Sequence, residues 1–221
     1  MQIEGPAVGA LQLSFLTTWH SQQAPQLADR DYFPELKIKG EQLVRVLLSE
    51  PDSAHDIYKA YLAALNQAQK SIHITCAYFV PTEEIMRVLT AAAKRGVDVK
   101  IILPGASDSA LVTNASRSYF SAMLASGMRI FLLNVAVLHA KTAVIDRAWG
   151  TVGSTNIDTR SLLMNNEVNL MVFSEAFALT LEKAFTEDLL SSKEITAAAW
   201  ADRAYSTRAK EWLARQVAPW L

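Results

Sequence analysis

The chain has 221 residues, 51% of them hydrophobic, with 21 basic and 22 acidic side chains and a formal net charge of −1. That length suits one sizeable domain, and the balanced charge supplies no global basic field, which argues against nucleic acid as a partner. Cys76 is the only cysteine, so no intrachain disulfide can form; no apolar run reaches the ~20 residues that span a bilayer, and the N-terminus lacks the pattern of a signal peptide.

In chain order, Met1–Glu4 read as part of a strand, and Pro6 opens a helix carrying Val8, Leu11, Phe15 and Trp19 at helical spacing. Residues 20–40, with Pro25, Pro34 and Gly40, read as a linker. Leu43–Ser49 is a predicted strand. Asp52 or Ser53 then caps a helix running to about Gln69. Ser71–Ala77 is a strand. Thr82 caps the next helix, which has Glu83 and Glu84 in its first turn, Lys94 and Arg95 in its last, and Gly96 just beyond. Val97–Leu103 is a near-continuous apolar strand, a helix spans about Ser109–Ser126, and Met128–Leu133 is a strand. This alternation predicts an α/β fold with a mixed, mainly parallel sheet covered by helices on both faces.

From Lys141 the rhythm changes. Thr142–Asp146 and Thr151–Gly153 read as a hairpin around Arg147–Gly150, Glu167–Phe173 as a strand, Ser174–Leu190 as a helix, and Thr196–Leu221 as helical. Val8, Leu11, Phe15 and Trp19 echo Phe177, Leu181, Phe185 and Leu189 with one residue of slip, as though residues 1–19 ended an earlier copy of the same unit. The other reading is two amphipathic helices sharing a period. In the tail, Trp200, Ala204, Tyr205, Trp212, Leu213, Val217 and Trp220 recur at roughly helical spacing, and Arg203, Arg208, Lys210 and Arg215 exceed Asp202 and Glu211 by two charges. Such a stripe either packs on the domain or meets an anionic membrane surface.

The chemistry concentrates at His139-Ala140-Lys141, followed by Asp146 and Gly153-Ser154-Thr155-Asn156, the pattern H-x-K-x4-D-x6-G-S-x-N. His139 and Lys141 share one side of an extended segment, as do Ser154 and Asn156. An imidazole beside an ammonium, with hydroxyl and amide donors nearby, suits an anionic phosphodiester: the donors stabilise charge on its oxygens, and the imidazole serves as nucleophile or as acid to the leaving alkoxide. Gly153 is read as letting the backbone approach the ligand. Asp146 reads as organising the turn rather than as a chemical participant. His20, His55 and His73 lack any partner pattern and read as structural; no cluster has metal-ligand spacing, and no Gly-rich phosphate loop is present.

This pattern resembles the HKD motif of the phospholipase D superfamily. Ala77-Tyr78-Phe79-Val80-Pro81, Arg95-Gly96-Val97-Asp98-Val99, Leu103-Pro104-Gly105, Leu138–Thr142, Asn156–Ser161 and Asn166-Glu167 are similar to bacterial cardiolipin synthases, as are Ile3–Val8 and Arg203–Leu221. The resemblance implies a phospholipase D-like domain over 41–221. It implies transfer of a phosphatidyl group from a phosphatidylglycerol-like phospholipid to another headgroup alcohol, through a phosphohistidine and without metal or other cofactor. It also implies a cytoplasmic, peripherally membrane-associated protein. Glu167, 28 residues after His139, resembles the family's carboxylate that orients the motif histidine; the alternative is a solvent-facing carboxylate at a strand start. The implied catalytic set is His139, Lys141, Asp146 and Glu167, with Ser154 and Asn156 binding substrate. Such enzymes carry two motifs per chain and this sequence has one, so it resembles a C-terminal half. His139 then corresponds to the general acid, and the partner is an N-terminal half or, in a homodimer, a second copy. The alternatives are a single-motif homodimeric phosphodiesterase or nuclease, and a non-catalytic fragment that needs its partner.

Overall fold

The computed structural model describes residues 1–51 and 54–221. Asp52 and Ser53, the proposed cap, lie outside the described residues. The strands are β1 (Leu43–Ser49), β2 (Ser71–Cys76), β3 (Phe79–Val80), β4 (Asp98–Pro104), β5 (Arg129–Leu133), β6 (Lys141–Ile145), β7 (Trp149–Gly153), β8 (Ile157–Asp158), β9 (Glu167–Phe173) and β10 (Ser192–Ile195). The helices are α1 (Ala7–Ser21), α2 (Asp56–Gln67), α3 (Glu83–Lys94), α4 (Ala110–Arg117), α5 (Phe120–Ala125), α6 (Thr159–Leu163), α7 (Glu175–Leu190), α8 (Ala197–Ala201) and α9 (Tyr205–Gln216), with a 3-10 turn at Ala218–Trp220.

Eight strands form one mixed sheet in the order β1-β9-β7-β6-β2-β4-β5-β10, and β3 pairs with β8 beside it. The mixed α/β architecture is as the sequence predicts, but "mainly parallel" needs correction. Parallel ladders in the large sheet are confined to β2-β4-β5. The β1-β9, β9-β7, β7-β6, β6-β2 and β5-β10 ladders are antiparallel. The reason is connection length. Parallel neighbours need a crossover of about a dozen residues or more, which α3, α4 and α5 supply. After β5 the chain crosses to the other side of β2 and turns back within three residues between β6 and β7.

Helices cover both faces. On one face Ile72, Ile74 and Cys76 of β2 join Ile101, Ile130, Ala143 and Ile145 under α2, α3 and α5, where Leu65, Leu89 and Phe120 are buried. Each such side chain contributes about 1.5–3 kcal/mol of transfer free energy. On the other face α7 lies across the sheet. There Phe185 packs with Ile102, Phe131 and Leu133. His73 also points to this face. Its ring stacks on Phe185 at 4.7 Å, with Nδ1 2.8 Å from Glu182 and Nε2 3.2 Å from Asp98, a structural role. Because β2 is covered on both sides, all six of its residues are buried.

Local signals hold where they are strong. The Thr82 hydroxyl accepts from the Ile85 N–H at 3.2 Å, capping α3. The single helix expected over Ser109–Ser126 is instead two, α4 and α5. The Ser118 hydroxyl donates back to the Ala115 carbonyl, and the backbone bonds there tighten to the three-residue spacing. The expected hairpin turns earlier than predicted, at Asp146 and Arg147, both with φ of 55°, closed by the Ala148 N–H to Ile145 carbonyl bond at 3.0 Å. Gly150 is not in the turn but within β7, where a Cβ would stand 2.6 Å from Leu181 of α7.

Met1–Glu4 lie outside the sheet, contrary to the strand expected there. Helix α1 runs beside β1 and has no buried residue, whereas α7, its sequence echo, buries Ala178, Glu182 and Phe185. Strand β10, which no sequence signal marked, is a polar edge strand, tied to β5 by Arg129–Glu194 at 2.8 Å.

Candidate active site

The register brings the motif residues to one end of the sheet. Strands β1, β2, β4, β5 and β7 end there, and β6 and β9 begin there: Cys76 is paired with Lys141, Gly153 with Asn169, and Ser49 with Glu167. The carboxyl ends of the parallel strands β2, β4 and β5 are thus at the motif, the place where open α/β sheets bind ligands.

Lys141 is buried at 7% exposure, and its Nζ donates to the His139 carbonyl at 2.9 Å. Burial lowers its pKa, a shift opposed by the negative charges of Glu167 and Asp158. The His139 imidazole is exposed and, among the described residues, forms no hydrogen bond or ion pair. The carbonyl of Asn156 accepts from the Tyr78 N–H at 3.2 Å and, weakly, from the Cys76 thiol at 3.9 Å. That fixes the orientation of the carboxamide and leaves its NH2 as the remaining donor. The Ser154 hydroxyl donates to Glu167 and accepts from the Val168 N–H at 3.0 Å. Glu167 also accepts from Asn165 at 3.5 Å. Its carboxylate therefore holds Ser154 and lies within electrostatic reach of Lys141, rather than hydrogen-bonding the motif histidine.

Gly153 is required by packing, not by ligand approach: a Cβ there would stand 1.9 Å from the Asn169 side-chain oxygen and 2.4 Å from the Val168 carbonyl. Asn169 uses that space, its carboxamide oxygen accepting from the Thr155 N–H at 3.3 Å. Asp146, grouped by the motif with His139 and Lys141, is at the other end of β6, about 17 Å along the strand from Lys141 at the usual rise. There it accepts from the backbone N–H groups of Gln69, Lys70 and Ser71 at 2.9, 2.7 and 2.9 Å. Burial opposes these bonds, but they win and hold its pKa below the usual value. Asp146 thus ties the β6–β7 turn to the segment that opens β2.

The structure adds residues that the motif pattern did not single out. Asp158 is buried at 6% exposure, and burial raises its pKa against the bonds from the Ser161 N–H at 2.7 Å and the Ser161 hydroxyl at 3.3 Å. It continues the alternation of Ser154 and Asn156 by two more residues, a signal present in the sequence. Burial pushes the Cys76 thiol up to about 12, so it stays protonated as a neutral wall. Tyr78 donates its hydroxyl to Asp108 at 2.6 Å on the rim.

The family described as cardiolipin synthase, PLD-like domain, matches residues 61–189. A cardiolipin synthase from Listeria welshimeri is 33% identical over 222 aligned positions, covering 99% of this chain and 46% of the relative. One from Staphylococcus aureus is 35% identical, covering 99% and 45%. The chain spans about half the length of the curated relatives it matches. The solved structure of Nuc from Salmonella typhimurium, a phospholipase D family member, superposes with a TM-score of 0.60 at 24% identity, covering 71% of this chain and 99% of that one, a likeness of fold. With more than half of its residues matched, this chain belongs to the cardiolipin synthase, PLD-like domain family.

Proposed function

We propose that the chain supplies one half of a phosphatidyl-transfer site that makes cardiolipin-like lipids from a phosphatidylglycerol-like donor. The observation that carries this reading is a buried ammonium, Lys141, gathered with the Asn156 amide and the Ser154–Glu167 pair at the sheet end, beside the exposed imidazole of His139. A poorly hydrated ammonium attracts a phosphodiester more strongly than a solvated one, and its proton is retained more firmly once the anion is bound.

In this reading a second imidazole comes from another domain or from a second copy of the chain. Its nitrogen attacks phosphorus, and the bond from phosphorus to the leaving alcohol's oxygen breaks. The His139 imidazolium gives its proton to that oxygen, leaving a phosphohistidine on the partner. The acceptor alcohol then attacks phosphorus, loses its proton to His139, and the phosphorus–nitrogen bond breaks. Lys141 and Asn156 hold the non-bridging oxygens throughout. Glu167 keeps Ser154 in place and offsets the charge of Lys141. The site would work at a membrane surface, since the donor is a lipid; among the described residues no helix is long and apolar enough to cross a membrane.

The test is calorimetric titration with tungstate, together with mass-spectrometric detection of cardiolipin made from phosphatidylglycerol. Lys141→Met should weaken tungstate binding about tenfold or more. Any cardiolipin formed, by the chain itself or after adding a domain with a second motif, should vanish in His139→Ala. Tungstate binding undiminished in Lys141→Met would overturn the assignment. A concentration-dependent activity that rises with the dimer population would identify a second copy as the source of the other histidine.

A further inference from the structure

The C-terminal helix α9 is amphipathic in an unusual sense. Its inner side carries Glu211 and Ala214, with Ala218 beyond, and packs against α4. Glu211 is buried and takes a bond from Arg203 at 2.9 Å. The opposite side, by the 3.6-residue period, should be polar if it faced only water. Instead it presents Tyr205, Trp212 and Leu213, which are 86%, 62% and 59% exposed, and Trp220 of the following turn is 77% exposed. The tail therefore splits. Trp200 turns inward, packed on Phe120 at 5.0 Å and donating to Ser121, while Trp212 and Trp220 turn outward.

Cations flank this apolar side. Arg208 and Arg215 lie along one edge and Lys210 along the other by helical position, all exposed. Arg203 is neutralised by Glu211, so the surplus is these three cations against Asp202. The surface also adjoins the candidate site. The carbonyl of Leu221 accepts from the Arg160 N–H at 3.2 Å, two residues beyond Asp158. Leu111 on α4 and Met164 after α6 are also exposed.

We propose that the outward side of α9 and the turn after it form a docking surface for an anionic phospholipid bilayer, with the indoles and Leu213 at the acyl boundary and Arg208 and Lys210 at the phosphates, while Arg215 is turned inward over the Tyr119 ring at 4.1 Å. Tryptophan and cations in this arrangement suit the interfacial layer, where one side of the helix meets hydrocarbon and its edges meet charge. The proposal rests on the functional reading above for its purpose, since it brings the rim of the site to the lipid. Its evidence, the exposure and charge of α9, is separate.

The experiment is vesicle co-sedimentation of the full chain with phosphatidylglycerol-rich and with pure phosphatidylcholine vesicles. Wild type should bind the anionic vesicles, more at low salt than at ~0.15 M. The triple change Trp212→Ser, Leu213→Ser, Trp220→Ser should lower bound protein about tenfold, with an unchanged far-UV spectrum. Lys210→Gln with Arg208→Gln should remove the preference for the anionic vesicles. If the triple variant misfolds, quenching of wild-type tryptophan emission by brominated phosphatidylglycerol gives the same answer. No binding by wild type, absence of quenching, or full binding by a folded triple variant would overturn the proposal. So would a wild-type dimer that the triple change dissociates, because the surface would then be a contact between copies. Tungstate binding read on the same proteins separates the two ideas. Its loss in wild type with vesicle binding intact overturns the transfer site alone, and its retention in a triple variant that no longer binds vesicles supports the docking surface.

Discussion

At the start of β6 a buried ammonium, Lys141, has one hydrogen bond, to the His139 carbonyl, and burial lowers its pKa; close by, burial raises the pKa of Asp158. At the end of the same strand Asp146 accepts three backbone N–H groups that hold its pKa down. Both shifts at the first end disfavour the charged form, and the shift at the second favours it. Residues that one sequence motif groups together are thus divided by five positions of strand. One end holds an ammonium that lacks full solvation and would gain from a bound anion, beside a carboxyl that burial biases towards its neutral form; the other ties the β6–β7 turn to the start of β2. The difference separates the candidate site from a joint that ties two parts of the fold, and variants at each end should behave accordingly.

The largest expected effect is His139→Ala, which should lower any phosphatidyl transfer by about 10³-fold or more while leaving the melting temperature nearly unchanged, since the imidazole is exposed. Steady-state turnover and thermal unfolding on the same preparation check both halves. Lys141→Met should lower transfer by about 10²-fold or more and leave stability equal or higher at neutral pH. Its pKa is lowered on folding, so the native state binds fewer protons than the unfolded state between the folded value and about 10.4. Stability should therefore rise with pH across that alkaline window in wild type, and the rise should be weaker in Lys141→Met.

Asp146→Ala should do the reverse, costing about 2 kcal/mol as three N–H groups lose their acceptor, or roughly 4–8 °C in melting temperature, with transfer within a fewfold of wild type. The amides of Gln69 and Lys70 still reach water, which limits the loss. Because the folded pKa of Asp146 is depressed, its contribution is present above about pH 4 and lost as the pH falls through the folded value. Asp146→Asn should flatten that acid limb. Asp158 has the opposite sign, with stability falling as the pH rises from about 4 through its raised value. A collapse of activity in a folded Asp146→Ala protein would break the division between the two ends. The smallest effect is expected from Ser154→Ala, about 1 kcal/mol or roughly fivefold in transfer, since it releases Glu167 without removing a charge. A structure of that variant with Glu167 unmoved would show that Ser154 does not position it.

Legibility followed the range of the interactions. Strands β1 and β9 match the sequence reading at both boundaries, because each is an apolar run bounded by turn residues or charge. The cap at Thr82 was legible because its bond spans three residues. The two-residue strands β3 and β8 were not, since Phe79–Val80 is a strand only because Ile157–Asp158 lies beside it. Gly150 suggested a turn and instead admits Leu181, a contact that depends on where α7 crosses the sheet. At the candidate site, the shared sheet end of His139, Lys141, Ser154 and Asn156 was legible from their i, i+2 spacing within one motif. The attachment of Glu167 to Ser154 was not, because it depends on the pairing of β7 with β9.

By itself the sequence determined the α/β alternation, the spacing of the phosphodiester motif and the family resemblance, since periodicity, caps and i, i+2 alternation are set by neighbours along the chain. The tertiary structure alone decided that the sheet is antiparallel outside β2-β4-β5, that Asp146 belongs to the far end of β6, and that Trp200 turns inward while Trp212 and Trp220 face out. Those outcomes depend on which strand pairs with which and on what covers each face, and the energies that settle them come from contacts between residues far apart in sequence.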